Sequence, residues 1–361
     1  MNNLENIYKI IVPVSPNIVQ KKDAVTDFTQ LSLIENKKYG LLHNYLHKKK
    51  LFKFNKNYQN EQGNSSLQKD HLNKLHKFLK KNFPKKSKLV EVGCGKGLFL
   101  KLVKKKKYFE YLGFDKTYEG NDKKIKKRYL NSKDRIEADI IILRHTLETI
   151  KNPYKFLKML KTIFSNNALI YIEITNLDLI KKNNYLLYFT HEYINYFTQK
   201  SLLSLFSEIT SSKEVLKGHY FFCLTSLNSL VNKDIFEFQK KKKWKKYQLT
   251  SYFKNFKSKS KTIFKSKRLW IWGASTKGVM YLHYLINFLC FDKKKVMGCI
   301  DINKKKQNFY TPSTNIKIFS PKNFYKLIKK NDLVVNMNRI YKLEIIELTK
   351  NNGHTIKIKS I

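Results

Sequence analysis

The stretch LVEVGCGKGLFL, Leu89 to Leu100, sets three glycines, Gly93, Gly95 and Gly97, at alternate positions directly behind a run of strand-forming residues. A turn of this kind constrains its neighbours, because glycine alone enters the left-handed conformations that let a chain reverse tightly and bring its backbone close to a ligand. A dinucleotide fold spaces such glycines G-x-G-x-x-G around a pyrophosphate at a helix N-terminus. Here the order is E-x-G-x-G-x-G, with Glu91 inside the strand. An acid at that place repels a pyrophosphate and suits a cationic amino-acid ammonium. By themselves the glycines leave three readings open: a ligand carrying an ammonium, a dinucleotide, or a purely structural turn.

Around the turn, strand and helix patterns alternate. Apolar Leu72, Leu75, Phe78 and Leu79 recur at helical spacing between Leu67 and Phe83, and Pro84 stops them. Strands are predicted over Lys88–Val92, Glu110–Asp115, Ala138–Leu143 and Ala168–Ile174. Helices are predicted from Gly97 to Val103 and from Pro153 to Phe164. The alternation predicts an α/β fold built on a doubly wound parallel sheet. The pattern restarts at RLWIWGASTKG, Arg268 to Gly278, a strand with a second glycine-flanked turn. A helical VMYLHYLINFL and the strands of VMGCIDIN and NDLVVNMN follow. This is a second, smaller Rossmann-like α/β domain, and not a sequence repeat of the first.

The expected organisation is therefore a degenerate N-terminal lobe or arm over 1–65, a first α/β domain over 66–232, a basic helical connector over 233–267 and the second domain over 268–361. Trp244, Tyr247, Tyr252, Phe253 and Phe256 interleave with the connector's lysines. Such a stripe can grip RNA or lipid head groups. More often it is a helix packing its aromatics on its own domain, and that is the expectation.

Charge is the loudest feature: 73 basic residues against 27 acidic ones, a net +46. Taken alone it predicts a polyanionic partner. Only five of the 73 are arginines, however, and nucleic-acid readers lean on Arg for bidentate and stacking contacts. The chain is equally swollen in Asn, Ile, Tyr and Phe, the mark of AT-rich codon usage. No specific nucleic-acid partner is expected. No window approaches the roughly 18 to 20 apolar residues of a membrane span, and Met1 to Ser15 lacks a basic-then-apolar order, so a cytoplasmic protein is expected. Cys94, Cys223, Cys290 and Cys299 are scattered without a CxxC pair, which argues against both a zinc site and a disulfide framework.

The glycine spacing resembles the first motif of class I S-adenosylmethionine methyltransferases. Asp115, closing the next strand in GFD, stands where that family's acid grips the ribose hydroxyls. The resemblance implies S-adenosyl-L-methionine as cofactor, held by Glu91, Gly93, Gly95, Gly97 and Asp115. RHTLETIKNPYKFL, Arg144 to Leu157, is similar to the R-H-x-L-E-H-I-x-x-P block of such enzymes, with Thr149 at the second histidine; His145 alone reads as a packing histidine, and the resemblance implies it at the rim of the cofactor site.

Two further segments resemble sugar C-methyltransferases acting on nucleotide-linked keto-deoxysugars. HEYINYFTQKSLLSLF, His191 to Phe206, is similar to their E-H-x-x-Y-F-[ST]-x-x-S-L segment. GASTKG, Asp301 in CIDIN, and KKQNFYTPST, Lys305 to Thr314, stand for motifs of their accessory domain. The resemblance covers about residues 55–361 and implies methyl transfer to a nucleotide-linked sugar or related small-molecule glycan precursor. Departures accompany it. The family's usual lobe of four cysteines is missing from residues 1–65, so no zinc is expected; the family histidine is Tyr193; and Asn308 and Ser313 replace glycines.

For carbon methylation, a base must take a proton next to a ketone, and it needs a pKa near working pH. His191 has the best intrinsic pKa, Tyr193 holds the family position but starts near 10, and Glu192 is placed to orient either. Oxygen methylation uses the same trio with less demand on the base, since positioning against an activated methyl supplies much of the rate. The alternative of an RNA methyltransferase is disfavoured: one that methylates base nitrogen often carries an N-P-P-Y-like tetrad after its fourth strand, and Arg144-His145-Thr146-Leu147 is unlike it.

Overall fold

The computed structural model describes residues 7–51, 57–59, 65–164, 167–237, 244–337 and 339–360. Part of the polar run near residue 60, and Lys240–Lys243 at the head of the connector, lie outside these residues.

Among the described residues the strands form four sheets. The N-terminal segment supplies β1 (Ile10–Pro13), β2 (Phe28–Leu31), β3 (Leu33–Asn36) and β4 (Leu41–Asn44). The first domain supplies β5 (Lys88–Val92), β6 (Glu110–Phe114), β7 (Ile125–Lys126), β8 (Ile140–Arg144), β9 (Leu169–Thr175), β10 (Asn195–Tyr196), β11 (Ser211–Val215) and β12 (Tyr220–Ser226). Its main sheet runs β11-β12-β9-β8-β5-β6-β7, parallel from β9 to β7, with β12 and β11 added antiparallel at one edge. The central strands are buried on both faces, which is why ADIIIL reads as a continuous apolar run rather than an alternating one.

Helix Ser66–Asn82 is capped by the Ser65 side chain, which accepts from the Gln68 N–H, and it packs Leu72, Leu75 and Leu79 into the same core as Leu89 and Leu100. Helix Pro153–Ile163 starts behind Asn152, which caps Lys155, with proline at its first position, where no backbone donor is lost. Both helices match the sequence pattern closely.

The connector departs from its prediction. Among its described residues it forms strand β13 (Trp244–Lys246) before helix Thr250–Ser260, so it is not helical throughout. β13 pairs with β3, and β10 pairs with β4, giving the sheet β10-β4-β3-β13. The N-terminal segment is thus a lobe and not an extended arm. Leu31, Leu33 and Leu42 are fully buried in one apolar cluster with Phe253, Met280 and Leu285. Tyr252, Phe253 and Phe256 of the expected basic stripe are buried in that cluster, while Tyr247 is partly buried against it.

The second domain carries β14 (Leu269–Trp272), β15 (Val296–Ile300), β16 (Ile318–Phe319), β17 (Leu333–Asn336) and β18 (Lys357–Ser360). All pairings are parallel, in the order β16-β15-β14-β17-β18. The chain moves outward one way from β14 to β16 and the other way from β17 to β18, the doubly wound arrangement. Asn308 and Ser313, which stand where the resembled motif has glycines, have left-handed backbone, with φ of 68° and 70°.

Candidate active site

The glycine turn lies at the carboxyl end of β5, where ligands of doubly wound sheets bind. Gly93, Gly95 and Gly97 all have positive φ, of 77°, 56° and 71°. At Gly93 an added Cβ would stand 2.4 Å from the Thr146 hydroxyl, which donates to the Val92 carbonyl. At Gly95 a Cβ would meet nothing within 4 Å, so this side of the turn opens onto free space. The Gly95 N–H donates to Asp115 Oδ2 at 2.8 Å, and Asp115 Oδ1 accepts from the backbone and hydroxyl of Thr117, both at 2.7 Å. Asp115 is therefore fixed beside the open face of the turn, with geometry suited to a ribose. The Glu91 carboxyl is buried under the turn; Oε1 is 3.3 Å from Arg144 Nε and Oε2 has no protein partner. Burial raises its pKa to about 7 against the opposing pull of Arg144. An open cradle flanked by two acids, one with an orphaned oxygen, fits S-adenosylmethionine.

His145 is held by acids at the carboxyl end of the sheet. It follows β8 with φ of 52°, and its ring lies between two buried carboxylates: Nδ1 is 3.4 Å from Glu148 Oε1 and Nε2 is 3.5 Å from Glu173 Oε1. Burial opposes its charge, but bonding and attraction to the two acids prevail, lifting its pKa to about 9. Glu173 also takes His71 and the Tyr171 hydroxyl, each at 2.9 Å, and is held well below the usual carboxylate range even though burial pushes the other way. Thr146, the next residue, is the one that touches the turn. Neither Glu173 nor His71 stands out by motif. The one signal is an ionisable residue on an apolar face: Glu173 inside ALIYIEI, and His71 beside Leu72.

The trio His191, Glu192 and Tyr193 divides three ways. His191 is fully buried, stacked on His47 at 4.3 Å with Nε2 3.3 Å from the Lys48 carbonyl, and burial lowers its pKa. These partners belong to the N-terminal lobe. The Tyr193 hydroxyl lies 3.3 Å from Thr175 Oγ1 at the end of β9, and burial raises its pKa above that of an ordinary tyrosine. Glu192 is the junction. Its carboxylate accepts from Asn17 Nδ2 at 2.9 and 3.2 Å and from the Tyr58 hydroxyl at 3.4 Å. Burial raises its pKa to about 7, with Asn17, Tyr58 and Lys306 pulling the other way. Asn17 also bonds Thr276 twice, through side chain and backbone, at the start of the helix after β14. One asparagine of the N-terminal lobe thus ties the loop before β10 to the second domain.

The turn of the second domain is closed internally. Asp301 Oδ2 accepts from the Ala274 N–H at 2.9 Å, as Asp115 does from Gly95. Lys306, buried, then bonds the Ala274 carbonyl and the Ser275 hydroxyl and stands 4.0 Å from Asp301. Among the described residues, no three His, Cys, Asp or Glu side chains gather as a metal site, and no helix is long and apolar enough to cross a membrane.

Residues 64–209 match the family model of a methyltransferase domain, and residues 230–355 match that of a C-methyltransferase C-terminal domain. A search of curated proteins found no match. Among solved structures, the PH0226 protein from Pyrococcus horikoshii OT3 is similar at 14% identity, over 46% of this chain and 93% of its own, with a TM-score of 0.34. A SAM dependent methyltransferase from Aquifex aeolicus is 15% identical over 45% of this chain and 98% of its own, TM-score 0.34. The plantazolicin methyltransferase BpumL, solved with SAH, is 21% identical over 34% of this chain and 52% of its own, TM-score 0.27.

Proposed function

We propose that this S-adenosylmethionine-dependent methyltransferase, whose chain ends in a C-methyltransferase C-terminal domain, methylates a carbon next to the ketone of a nucleotide-linked sugar, with Glu192 as the base. S-adenosylmethionine supplies an electrophilic methyl group when bound, with Gly93, Gly95, Gly97 and Asp115 around it and Glu91 beneath. The observation that carries the assignment of the base is the burial of Glu192, which brings its pKa to about 7. A carboxylate at that value is half ionised at neutral pH and strong enough to accept a proton from carbon, where an ordinary glutamate is not. Tyr193 keeps its proton at neutral pH, since burial moves it further from ionisation. Its role is then a hydrogen-bond donor to the enolate oxygen rather than a base. His191, neutral and turned to His47, supports the loop.

The test is washout of deuterium from solvent into the carbon next to the ketone, with an acceptor found by screening nucleotide sugars for products one methyl heavier. Exchange should rise with pH through about 7, and Glu192→Gln should slow it by about 10²- to 10⁴-fold with cofactor affinity unchanged. A folding defect gives the opposite sign. Because the folded pKa of Glu192 is raised, its stabilising contribution is present below about 4.5 and lost as pH rises through about 7, so Glu192→Gln should be the more stable protein at pH 8. Methyl transfer to oxygen, with no exchange and full activity in the variant, sinks the carbon-acid mechanism.

A further inference from the structure

Asn17, in the N-terminal lobe, is 1% exposed and has a partner for every polar group it carries. Its carbonyl accepts from the Gln59 N–H at 3.0 Å. Its amide nitrogen donates to Glu192 Oε2 at 2.9 Å and Oε1 at 3.2 Å, and its backbone N–H reaches the same Oε1 at 3.4 Å. On the other side the amide nitrogen meets Thr276 Oγ1 at 2.5 Å, and Oδ1 accepts from the Thr276 N–H at 3.0 Å. Glu192 and Thr276 stand 175 and 259 residues further along the chain, so no local turn accounts for the arrangement. It exists only because three parts of the fold meet there.

The Thr276 contact decides which way the amide faces. A backbone N–H can only donate, so the atom opposite it is the amide oxygen, and the nitrogen is left facing the carboxylate. Reversed, the amide would set its oxygen against Glu192 and its nitrogen against another donor. Thr276 is the first residue of helix Thr276–His283, where a backbone N–H has no partner within the helix, and the lobe supplies one. A neutral donor also suits a base. Among the described residues no cation pairs with Glu192, and Lys306, whose charge acts on it, is bonded instead to the Ala274 carbonyl and the Ser275 hydroxyl at 3.2 and 2.6 Å. A direct ion pair would favour the charged form strongly and weaken the carboxylate as a proton acceptor. An amide fixes both oxygens and leaves them basic.

We propose that Asn17 is the positioning residue for the Glu192 carboxyl, and that the second domain fixes the orientation of Asn17 through the Thr276 N–H. The inference rests on the reading of Glu192 as the base. It gives the N-terminal lobe a task in the reaction, which is to keep that carboxylate aimed without neutralising it. The lobe's Tyr58 hydroxyl, 3.4 Å from Oε2, adds a second and longer contact. Hydrogen bonds to a carboxylate favour its charged form, so loss of the Asn17 donor should move the ionisation of Glu192 to higher pH.

Infrared difference spectra of the full chain across pH read the protonated Glu192 carboxyl without turnover, its band assigned by its loss in Glu192→Gln. Asn17→Asp keeps an oxygen for the Thr276 N–H but turns a second acid toward Glu192; Asn17→Leu keeps the volume and excludes water. Each should move the midpoint upward from about 7 by about one pH unit or more. Glu91, also brought to about 7 by burial, is the internal control and should stay where it is. Thr276→Pro removes the N–H at a helix position that accepts proline, and should move the midpoint further than Thr276→Ala, which removes only the hydroxyl. Equal midpoints in those two variants overturn the part assigned to the second domain. An unmoved midpoint in folded Asn17→Asp and Asn17→Leu overturns the proposal. The pH profile of solvent deuterium exchange should move with the titration; a titration that moves while the exchange profile stays upholds Asn17 as the holder of this carboxyl and overturns Glu192 as the base.

Discussion

At the scale of single residues, His145 ties the stability of the fold to pH. His145, raised to about 9 between Glu148 and Glu173, contributes stability that is complete below about 6.5 and lost as pH rises through about 9. Asparagine tolerates its left-handed backbone but carries no charge. Urea unfolding of His145→Asn at pH 6.5 should show a loss of about 3 kcal/mol, because two buried carboxylates lose their shared cation. The gap to the parent protein should close as pH approaches 10. Gly95 is a second sensitive position. Its φ of 56° costs a branched residue about 1–2 kcal/mol, and its Cβ would enter the space beside Asp115. Gly95→Val should therefore remain folded yet give no heat with S-adenosylhomocysteine.

At the scale of elements, helix Thr250–Ser260 decides how the connector's lysines are to be understood. Phe253 is 1% exposed, with its ring 5.2 Å from that of Tyr284 and 4.6 Å from that of Phe288. Rings used in this way are not available to stack on bases. Phe253→Ala should lower stability by about 3–5 kcal/mol in chemical unfolding. Substituting exposed Lys254 and Lys257 by Gln should leave the unfolding midpoint within about 0.5 kcal/mol of the parent. Strand β13 was hidden from the sequence because Trp-Lys-Lys has no alternating pattern of its own. It becomes a strand only because β3 presents an edge to it.

For the whole molecule, the +46 charge invites non-specific association with polyanions, and its salt dependence distinguishes this from recognition. Filter binding to unrelated RNAs should show weak, sequence-blind affinity that falls by orders of magnitude between roughly 50 and 200 mM salt. Tight binding to one RNA that survives such salt would move an RNA acceptor ahead of a sugar. The lobe, the first domain and the second domain meet at Asn17, which bonds both Glu192 and Thr276. Glu192 and the start of the helix after β14 are thus joined through one residue of the lobe.

The sequence by itself determined the two α/β units, the placement of β5, β6, β8 and β9, the glycine turn with Asp115 and the family to which these motifs point. These depend on short-range rules: strand and helix periods, glycine's backbone freedom, and the spacing of one turn from the next strand. Only the tertiary structure decided that residues 7–51 form a lobe completed by β10 and β13, that His145 serves two carboxylates while Thr146 meets the turn, and that Glu192 rather than His191 stands at the junction of three segments. Those outcomes depend on contacts such as Asn17 with Glu192 and Lys277 with Tyr188, whose partners lie far apart along the chain. A pKa near 7 for a glutamate is likewise a property of the desolvated place it occupies, which no residue carries in its own letter.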